Sequence, residues 1–375
     1  MSMNKLGFGT MRLPLHNPDD PASIDMEQFK KMADLFVERG FCYFDTAYPY
    51  HKEKSEEAVR EAVVKRFPRD SFILADKMPI LRVTGTDDYQ KFFDEQLKRC
   101  GVDHFDYYLL HNLGRDRYIN TEKFGGFSFI EKMKREGYVR NIGFSFHDDA
   151  DTLDTILTDH PEVDFVQLQI NYLDWNSIAI QSGRCYEVAE KHGKRITVME
   201  PVKGGSLVKL PDAAMREFNE FYRPVGDPSL TPASLAIRYA ASLENVQMVL
   251  SGMSNIEQLD NNTTFMKEFK PLSEEERKLV KRITEILESI GTIPCTSCRY
   301  CTEVCPKNIN IPEYFGLFNM HVVTGNKSNM YYERFSMDHG KASECIKCGL
   351  CEKNCPQHIS IREKVEAFAA LYEQA

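Results

Sequence analysis

Short apolar runs alternate with amphipathic stretches along about the first 270 residues of the chain. Runs of four or five apolar residues are typical of buried strands in a parallel sheet. Because a helical pattern separates each run from the next, the alternation predicts a (β/α)8 TIM barrel, an α/β fold. The eight predicted strands are Lys5–Gly9, Cys42–Asp45, Phe72–Asp76, Tyr107–Leu110, Asn141–Phe144, Phe165–Gln169, Ile196–Met199 and Val246–Leu250.

The amphipathic stretches carry ordinary helix boundaries. The first begins near Met26, keeps its apolar residues on one face and ends at Gly40, a residue that favours helix C-termini. We expect Ser55 to cap the second, whose apolar positions lie at residues 58–63. Further helices are predicted at Asp87–Cys100, Ser128–Glu136, Ala150–Thr158, Arg184–Lys191, Pro232–Ser242 and Ile256–Lys267.

A doubly wound open sheet is the alternative fold for this alternation. Such a sheet usually carries a G-x-G-x-x-G phosphate loop after its first strand. Here the first strand runs into Gly7-Phe-Gly9-Thr-Met-Arg12, which does not complete that pattern. The barrel is therefore the preferred prediction.

Composition and charge exclude some classes of partner. The 375 residues carry a formal net charge of −9, which argues against nucleic acid or an anionic membrane as the main partner. Hydrophobic residues make up 42% of the chain, yet no apolar run is long enough to span a membrane. No signal peptide is visible at residues 1–10, so we expect a cytoplasmic protein.

The last hundred or so residues have a different character. Residues 273–290 form a strongly charged helical pattern, which we interpret as a helix linking a barrel domain, residues 1–272, to a C-terminal domain, residues 291–375. Ile311–Val322 also has a helical pattern. The C-terminal domain is therefore expected to be small and mainly helical.

One cysteine pattern is written twice in this domain. The pattern C-x2-C-x2-C-x3-C-P occupies residues 295–306 and again residues 345–356. In tandem it binds two [4Fe–4S] clusters in bacterial ferredoxins, where the fourth cysteine of each run reaches the other cluster. The predicted ligands are Cys295, Cys298, Cys301 and Cys355 for one cluster, and Cys345, Cys348, Cys351 and Cys305 for the other.

Other uses of these cysteines explain the pattern less well. A zinc site needs four ligands, usually as paired C-x2-C, and leaves the third cysteine and the C-P ending of each run unexplained. Disulfides would need an oxidising compartment. The remaining cysteines, Cys42, Cys100 and Cys185, are predicted to be core thiols. A ferredoxin-like iron–sulfur domain is therefore the preferred interpretation.

Four polar residues end consecutive predicted strands, at the edge where barrel enzymes carry their active sites. They are Asp45 and Tyr50 after strand two, Lys77 after strand three and His111 after strand four. A lysine beside a tyrosine stabilises the phenolate and lowers the tyrosine pKa from about 10. An aspartate can hold that lysine, and a histidine can orient a carbonyl oxygen. Each residue alone also has a structural interpretation, but together they predict a proton-transfer site.

These residues resemble the aldo/keto reductase superfamily over roughly residues 4–270. The resemblance implies a catalytic tetrad of Asp45, Tyr50, Lys77 and His111, with Tyr50 as general acid, and NADP(H) bound across the barrel mouth. The matching segments are Phe44-Asp45-Thr46-Ala47-Tyr48-Pro49-Tyr50 with Ser55-Glu56, Lys77, Leu109-Leu110-His111, Gly143-Phe144-Ser145, and Ser251-Gly252-Met253-Ser254 with Gln258 and Asn262.

Several positions depart from the family's pattern. Phe146 stands where an asparagine often holds the nicotinamide amide, Met199 aligns with a stacking tyrosine, and His51 replaces a glycine. Gly252 and Gln258 align with basic residues that commonly bind the 2′-phosphate. NAD(H), or FMN in the same cleft, is therefore an alternative to NADP(H).

A set of residues is nevertheless expected to contact the cofactor. Lys203, in the loop after strand seven, is predicted to meet a phosphate, with a solvated lysine as the alternative. The full set of predicted cofactor contacts is Ser145, Gln167, Lys203, Gly204, Ser251, Gly252, Ser254, Gln258 and Asn262.

The two kinds of redox group differ in the number of electrons they transfer. Nicotinamide transfers a hydride and each cluster one electron, so a flavin usually stands between such groups. The preferred function is an oxidoreductase for a small carbonyl or alcohol substrate, with clusters that exchange electrons with a ferredoxin-like partner. The alternatives are an ordinary NAD(P)H-dependent carbonyl reductase with structural or redox-sensing clusters, and a non-enzymatic electron-transfer or regulatory subunit.

Overall fold

Eight parallel strands close into a barrel in chain order in the computed structural model, which describes residues 4–295, 297–355 and 357–373. Pairing of the first strand with the eighth completes the barrel, so the predicted TIM barrel is confirmed and the open sheet is excluded. All eight strands lie within three residues of their predicted ends. They are β1 (Leu6–Gly9), β2 (Tyr43–Asp45), β3 (Ile73–Met78), β4 (Phe105–Leu113), β5 (Val139–Phe146), β6 (Phe165–Gln169), β7 (Arg195–Met199) and β8 (Val246–Gly252).

Helices connect the strands. Two of them were not predicted: α4, which buries only Thr121 and so has no apolar face to reveal it, and α8. The helices of this part are α1 (Met26–Glu38), α2 (Ser55–Val59, continued by a π-helical turn at Arg60–Val64), α3 (Thr86–Cys100), α4 (Arg115–Lys123), α5 (Gly126–Arg135), α6 (Ala150–Asp159), α7 (Ser182–Lys191), α8 (Asp212–Tyr222), α9 (Pro232–Ala241) and α10 (Ile256–Lys267).

Ser55 does not cap α2, so that prediction is wrong. Lys54 occupies the cap position and makes no side-chain cap hydrogen bond, while Ser55 is the first helical residue. The Ser55 hydroxyl lies 2.7 Å from Thr10 Oγ1 and 2.9 Å from Thr46 Oγ1, and it is fully buried. Tertiary hydrogen bonds therefore replace the local cap, and they tie the loop after β2 to the end of β1.

Large side chains fill the interior of the barrel. The Tyr43 and Tyr107 rings pack at a tilt with centroids 5.3 Å apart, and Tyr107 meets Phe165 edge to face at 5.1 Å. Met248 and Leu250 belong to the same cluster. Aromatic pairs at such separations contribute beyond the apolar area that they bury. This packing leaves polar side chains to the C-terminal ends of the strands.

The charged helix α11 (Glu274–Ser289) packs against the barrel helices. Ser273 and Glu276 form a reciprocal capping box at its start. Its apolar residues Leu279 and Ile283 share a buried cluster with Phe218 of α8. The apolar face of α11 is therefore covered by the barrel, while its charged face remains exposed.

The C-terminal domain is helical, as predicted. Ile311–Val322 was the one helix predicted from its sequence pattern, and it extends to Thr324. The helices are α12 (Tyr300–Glu303), α13 (Ile311–Thr324), α14 (Asn329–Ser336), α15 (Leu350–Lys353) and α16 (Ile361–Tyr372). Across the residues that the structure describes, no helix has the length and apolar content needed to cross a membrane.

The two cysteine runs fold alike, as their repeated sequence suggests. In each run a short helix, α12 or α15, follows a residue with a left-handed backbone and contains the third cysteine. Positive φ angles recur at positions 50 residues apart, at Ser297 and Lys347, Arg299 and Gly349, and Asn308 and His358. Pro356, which ends the second run, lies outside the described residues, as do the first three residues of the segment searched for a signal peptide.

The domain is packed directly on the barrel. Ala179 and Ile180, in the loop after β6, share an apolar cluster with Tyr314 and Phe315 of α13. Gly316 of the same helix lies so close that a Cβ atom there would be 3.0 Å from the Ala179 Cβ. The absence of a side chain at Gly316 therefore allows this close approach of α13 to the barrel.

Candidate functional site

The four polar residues predicted from the strand ends lie together at the barrel mouth. Lys77, at the end of β3, is fully buried, and its Nζ lies 2.6 Å from Asp45 Oδ1 at the end of β2. The same ammonium donates to the carbonyl oxygen of Thr46 at 2.7 Å. Burial opposes the charge on Lys77, but the combined attraction of Asp45, Tyr50 and Asp76 outweighs it and raises the lysine pKa. The lysine is therefore held as a fixed cation.

Tyr50 stands between that cation and His111. Lys77 Nζ lies 5.0 Å from the centroid of the Tyr50 ring, and the Tyr50 and His111 rings meet edge to face with centroids 5.9 Å apart. Both rings are partly exposed to the cleft above the barrel. The Tyr50 ring thus has the Lys77 ammonium and the His111 imidazole as neighbours.

The net effect on Tyr50 is opposite to the one expected from the sequence. Burial raises the pKa of Tyr50 above its ordinary value of 10, and attraction to Lys77 only partly offsets this. Tyr50 therefore stays protonated at neutral pH and keeps a proton to donate. Lys77 favours the phenolate that would remain after donation.

His111 is neutral in this setting. Burial, followed by repulsion from Lys77, holds the pKa of His111 well below its ordinary value of 6.5. A neutral imidazole carries one N–H donor and one acceptor nitrogen. His111 can therefore donate a hydrogen bond to an oxygen in the cleft without itself titrating near neutral pH.

A cleft of about 880 Å³ opens above these residues. It is large enough for part of a nucleotide together with a small substrate, since ligand pockets usually span about 300–1,000 Å³. Side chains from several strand ends and one from the C-terminal domain surround it. They include Asp45, Tyr50, His111, Asn112, Ser145, His147, Gln167, Met199, Glu200 and Met330.

A second groove of about 560 Å³ continues from the cleft. Gly252, Ser254, Arg12 and Glu200 line both. Of the predicted cofactor contacts, Ser145 and Gln167 lie in the cleft. Those lining the groove are Gly204, Ser251, Gly252, Ser254, Gln258 and Asn262.

Two polar atoms of this surface have features suited to a nicotinamide carboxamide. Gln167 Oε1 is buried without a hydrogen-bond partner, a costly state unless a ligand supplies a donor. Ser145 Oγ accepts from the backbone N–H of Asn112 at 2.7 Å, which orients the hydroxyl. Phe146, at the position of the family's asparagine, is buried and does not line the cleft.

Lys203 does not reach the groove. It is buried, and its ammonium lies 2.5 Å from Asp174 Oδ1 in a separate cavity between the barrel and the C-terminal domain. An ion pair with a buried carboxylate leaves this ammonium neither solvated nor free for a phosphate. The position of Lys203 therefore matches neither the phosphate contact nor the solvated lysine considered from the sequence.

Arg12 is the groove residue that the sequence did not reveal. A Cβ atom at Gly252 would lie 3.2 Å from both Cβ and Cδ of Arg12, and one at Gly204 would lie 3.4 Å from its Nη2. The arginine therefore extends from the end of β8 toward the loop after β7, across the groove. It follows β1, far along the sequence from the family's phosphate positions, so alignment with those positions could not find it.

His51 replaces the family's glycine but keeps a glycine-like backbone. Its φ is +52°, in the left-handed region, and Lys52 and Glu53 follow with positive φ as well. The ring compensates by bridging two loops: Nε2 accepts from the Leu13 N–H at 3.2 Å and Nδ1 donates to the Pro21 oxygen at 2.7 Å. The loop that carries Tyr50 is thereby braced.

The eight cysteines of the two runs line two cavities in crossed sets. Every cysteine of the chain is a free thiol. One cavity is lined by Cys295, Cys298, Cys301 and Cys355, and the other by Cys345, Cys348, Cys351 and Cys305. Four thiols around each cavity are the donor set that a [4Fe–4S] cluster needs. Among the described residues no three His, Cys, Asp or Glu side chains form a site for a single metal ion.

The two cavities differ in their surroundings. Cys295, of the first, also lines the cavity of about 280 Å³ that contains Lys203 and Asp174 between the domains. The second is bordered by Ile346, which is 57% exposed, and Leu350 beside it is 41% exposed. Cys295 of the first cavity therefore borders the space between the two domains, while Ile346 and Leu350 expose apolar surface beside the second.

Comparison with known proteins agrees with both parts of this description. A model of the aldo/keto reductase family matches residues 5–286, and a model of a 4Fe-4S dicluster domain matches residues 294–360. An uncharacterized oxidoreductase of Schizosaccharomyces pombe is 24% identical over 278 residues, which are 70% of this chain and 81% of that protein. An aldo-keto reductase of Mycolicibacterium vanbaalenii is 28% identical over 234 residues, which are 60% of this chain and 73% of that protein.

Solved structures share the barrel fold. An aldo-keto reductase of Klebsiella pneumoniae in complex with NADPH has a TM-score of 0.60 at 21% identity, over 75% of this chain and 91% of that one. The holo form of a Bacillus halodurans aldo-keto reductase has a TM-score of 0.56 at 24% identity, over 74% and 91%. Since the family model spans most of the sequence, the chain belongs to the aldo/keto reductase family and is an oxidoreductase with a C-terminal 4Fe-4S dicluster domain.

Proposed function

We propose that the protein interconverts a small carbonyl compound and its alcohol at the barrel mouth, with Tyr50 as general acid. The observation that carries this proposal is the arrangement of Tyr50 between the buried Lys77–Asp45 pair and a neutral His111. In the reduction Tyr50 donates its proton to the carbonyl oxygen, and His111 donates a hydrogen bond to the same oxygen. Lys77 stabilises the resulting phenolate, and Asp45 holds the lysine in place.

A nicotinamide nucleotide bound along the cleft and the groove would supply the hydride for this reaction. The unpartnered Gln167 Oε1 and the oriented Ser145 hydroxyl suit its carboxamide, and the groove extends away from them. Arg12 supplies a cation for a nucleotide phosphate, although Glu200 and Glu257 also line the groove. NADP(H) is the first choice because related folds have been solved in complex with NADPH; NAD(H) is the second and FMN the third.

We further propose that the eight cysteines bind two [4Fe–4S] clusters, each ligated by three cysteines of one run and the fourth of the other. Such clusters transfer single electrons. The crossed composition of the two cavities supports this assignment over one in which each run binds its own cluster. The eight thiols also suit a reducing compartment, the cytoplasm.

The cavity lined by Cys345, Cys348, Cys351 and Cys305 is the proposed contact for an electron partner. Ile346 and Leu350 are exposed there, and Lys307, which lines the cavity, and Lys353 are exposed as well. An apolar centre with cationic neighbours fits an acidic, ferredoxin-like protein. Cys295 of the other cavity also lines the space between the domains that contains Lys203 and Asp174.

An anaerobic spectrum with chemical identification of the released cofactor tests this proposal. We expect iron–sulfur absorption that is bleached by a low-potential reductant, together with NADPH-dependent reduction of an aldehyde. Bound flavin would indicate that the flavin connects two-electron hydride transfer with one-electron transfer by the clusters. Clusters that keep their oxidation state throughout aldehyde turnover would favour a structural or sensing role, and no aldehyde turnover with any nucleotide would overturn the carbonyl reaction.

A further inference from the structure

The segment between Cys305 and Cys345, residues 306–344, reaches the mouth of the barrel. Its helix α14 places Met330 in the lining of the cleft that contains Tyr50 and His111. Met330 Sδ lies 3.5 Å from Asn112 Nδ2, at the end of β4, one residue beyond His111. The iron–sulfur domain therefore contributes one side chain to the lining of the cleft above the carbonyl site.

Polar contacts hold α14 in this place. The Tyr331 hydroxyl lies 3.4 Å from Nδ1 of His147, another residue of the cleft. Arg334 is buried, with Nε 3.5 Å from Asp148 Oδ2 and Nη2 3.7 Å from Asp116 Oδ1. A charge buried at this depth is tolerated where opposite charges face it, and in the docked position of α14 the carboxylates of Asp148 and Asp116 face Arg334.

Backbone packing also fits this docked position. A Cβ atom at Gly114, just after β4, would lie 2.5 Å from the guanidinium carbon of Arg334. The barrel loop thus leaves room for the arginine of the other domain. Gly114 of the barrel and Arg334 of α14 are therefore complementary in shape at this contact.

The two ends of the same segment are cluster ligands. Cys305 precedes the segment and Cys345 follows it, and both line the cavity that also contains Cys348 and Cys351. A cluster bound there would close the segment into a loop at its base, which reduces the conformational freedom of everything between. The position of Met330 at the barrel mouth is therefore coupled to the metal centre of the domain.

We propose that Met330 is a substrate-contacting residue, so that the iron–sulfur domain takes part in selecting the carbonyl compound by its size. This inference rests on the proposed carbonyl reaction. A methionine is long, unbranched and polarizable, which suits a wall that adapts to the substrate. Truncation of this side chain opens room in the cleft next to Asn112.

The test compares the selectivity of Met330→Ala with that of the unmodified holoprotein, assayed anaerobically with NADPH. The ratio of kcat/KM for 4-nitrobenzaldehyde to that for propanal is expected to rise about tenfold in Met330→Ala. Met330→Leu, which retains side-chain volume, is expected to stay within about twofold of the unmodified protein. Met337→Ala is the matched control, because Met337 follows α14 and is 60% exposed. An unchanged ratio in Met330→Ala, with cluster absorbance intact, would overturn the inference.

A second measurement does not depend on turnover. Hydrogen–deuterium exchange of residues 329–336 is expected to slow when NADP⁺ and 4-nitrobenzaldehyde are added together, with no change in residues 361–372. If the unmodified protein reduces neither aldehyde, the proposed carbonyl reaction is rejected. Hydrogen–deuterium exchange of residues 329–336 with 4-nitrobenzaldehyde alone then tests whether Met330 contacts the aldehyde. No change in α14 under that condition would overturn this inference.

Discussion

Lys77 Nζ and Asp45 Oδ1 lie 2.6 Å apart with both side chains buried beneath the candidate site. Removing one partner of such a pair leaves the other charge uncompensated. Asp45→Asn is therefore expected to lose about 3 kcal/mol of unfolding free energy and to slow carbonyl reduction, because Lys77 then loses the charge that holds it. Urea unfolding and steady-state rates measure the two effects.

The control for that variant is an exposed ion pair. Asp34, whose side chain is 47% exposed, lies 2.7 Å from Arg66. Since surface pairs contribute about 1 kcal/mol or less, Asp34→Asn should change neither the urea midpoint nor the rate appreciably. Equal effects of Asp45→Asn and Asp34→Asn would mean that burial of the pair has no special importance.

Tyr50→Phe tests the proton donor, because it removes the hydroxyl and keeps the ring beside Lys77 and His111. Reduction of an aldehyde by NADPH is expected to slow by about 10²–10⁴-fold, with the Kd for NADPH nearly unchanged. Tyr48→Phe is the matched control. The Tyr48 hydroxyl contacts Glu95 at 3.2 Å, and its ring does not line the cleft. A Tyr50→Phe rate within twofold of the unmodified rate would remove Tyr50 as the acid.

Most of the correct predictions from sequence came from two features, the polar residues at strand ends and the spacing of the cysteines. Local apolar runs mark β1 to β8 because each is buried on both sides, and residues after consecutive strands, such as Tyr50 and Lys77, meet because a barrel brings them together. The crossed grouping of Cys305 and Cys355 followed from the ligand pattern of tandem clusters. In each case a repeating local feature determines a distant contact.

What the sequence did not reveal depends on contacts without a local pattern. Arg12 lies in a loop, and its path over Gly252 depends on the pairing of β1 with β8. Lys203 pairs with Asp174 instead of facing the groove, and only the folded loops decide between those neighbours. The contact of α14 with the barrel through Arg334 depends on how the two domains pack together. No residue spacing within either domain predicts that packing.

Arg12→Ala tests the nucleotide groove. Loss of one charge-assisted hydrogen bond to a phosphate is expected to raise the Kd for NADPH about tenfold, and the Kd for NADH less, since Arg12 lies over the position where the family's phosphate-binding residue would project. Fluorescence titration of both nucleotides measures this, with Arg223→Ala, an exposed arginine, as control. An equal rise in Kd for both nucleotides would mean that Arg12 contacts the pyrophosphate, which both share. An unchanged Kd for both would mean that Arg12 does not contact the bound nucleotide.

Cys355→Ser tests the crossed ligation of the clusters. Because Cys355 lines the cavity of Cys295, Cys298 and Cys301, the variant should lose the cluster of the first run, about four of about eight iron atoms. Cys305→Ser is the reciprocal variant and should affect the other cluster. Iron content and electron paramagnetic resonance of the reduced proteins distinguish the two. Loss of the second run's cluster in Cys355→Ser would contradict the crossed sets.

Glu276 of α11 predicts how stability depends on acid pH. Burial would raise its pKa, but hydrogen bonds from Arg238, the Ser273 N–H and Tyr222 together outweigh that effect and lower the pKa to about 2 from an ordinary 4.5. A lowered pKa stabilises the folded state above the unfolded value, and the contribution is lost as the pH falls from 4.5 toward 2. Glu276→Gln should therefore lose about 2 kcal/mol at pH 7, after allowance for solvent screening.

Urea midpoints of the unmodified protein and Glu276→Gln at several pH values between 7 and 3 measure this contribution. The difference between them should be constant above about pH 5 and shrink below it, because the unmodified carboxylate then becomes protonated on unfolding. Acid loss of clusters affects both proteins alike, so the difference remains interpretable. Glu275→Gln, at a 68% exposed side chain on the same helix, is the matched control and should show no such difference. A constant difference down to pH 3 would mean that the ion pair with Arg238 does not depress the Glu276 pKa, and that packing alone holds α11 on the barrel.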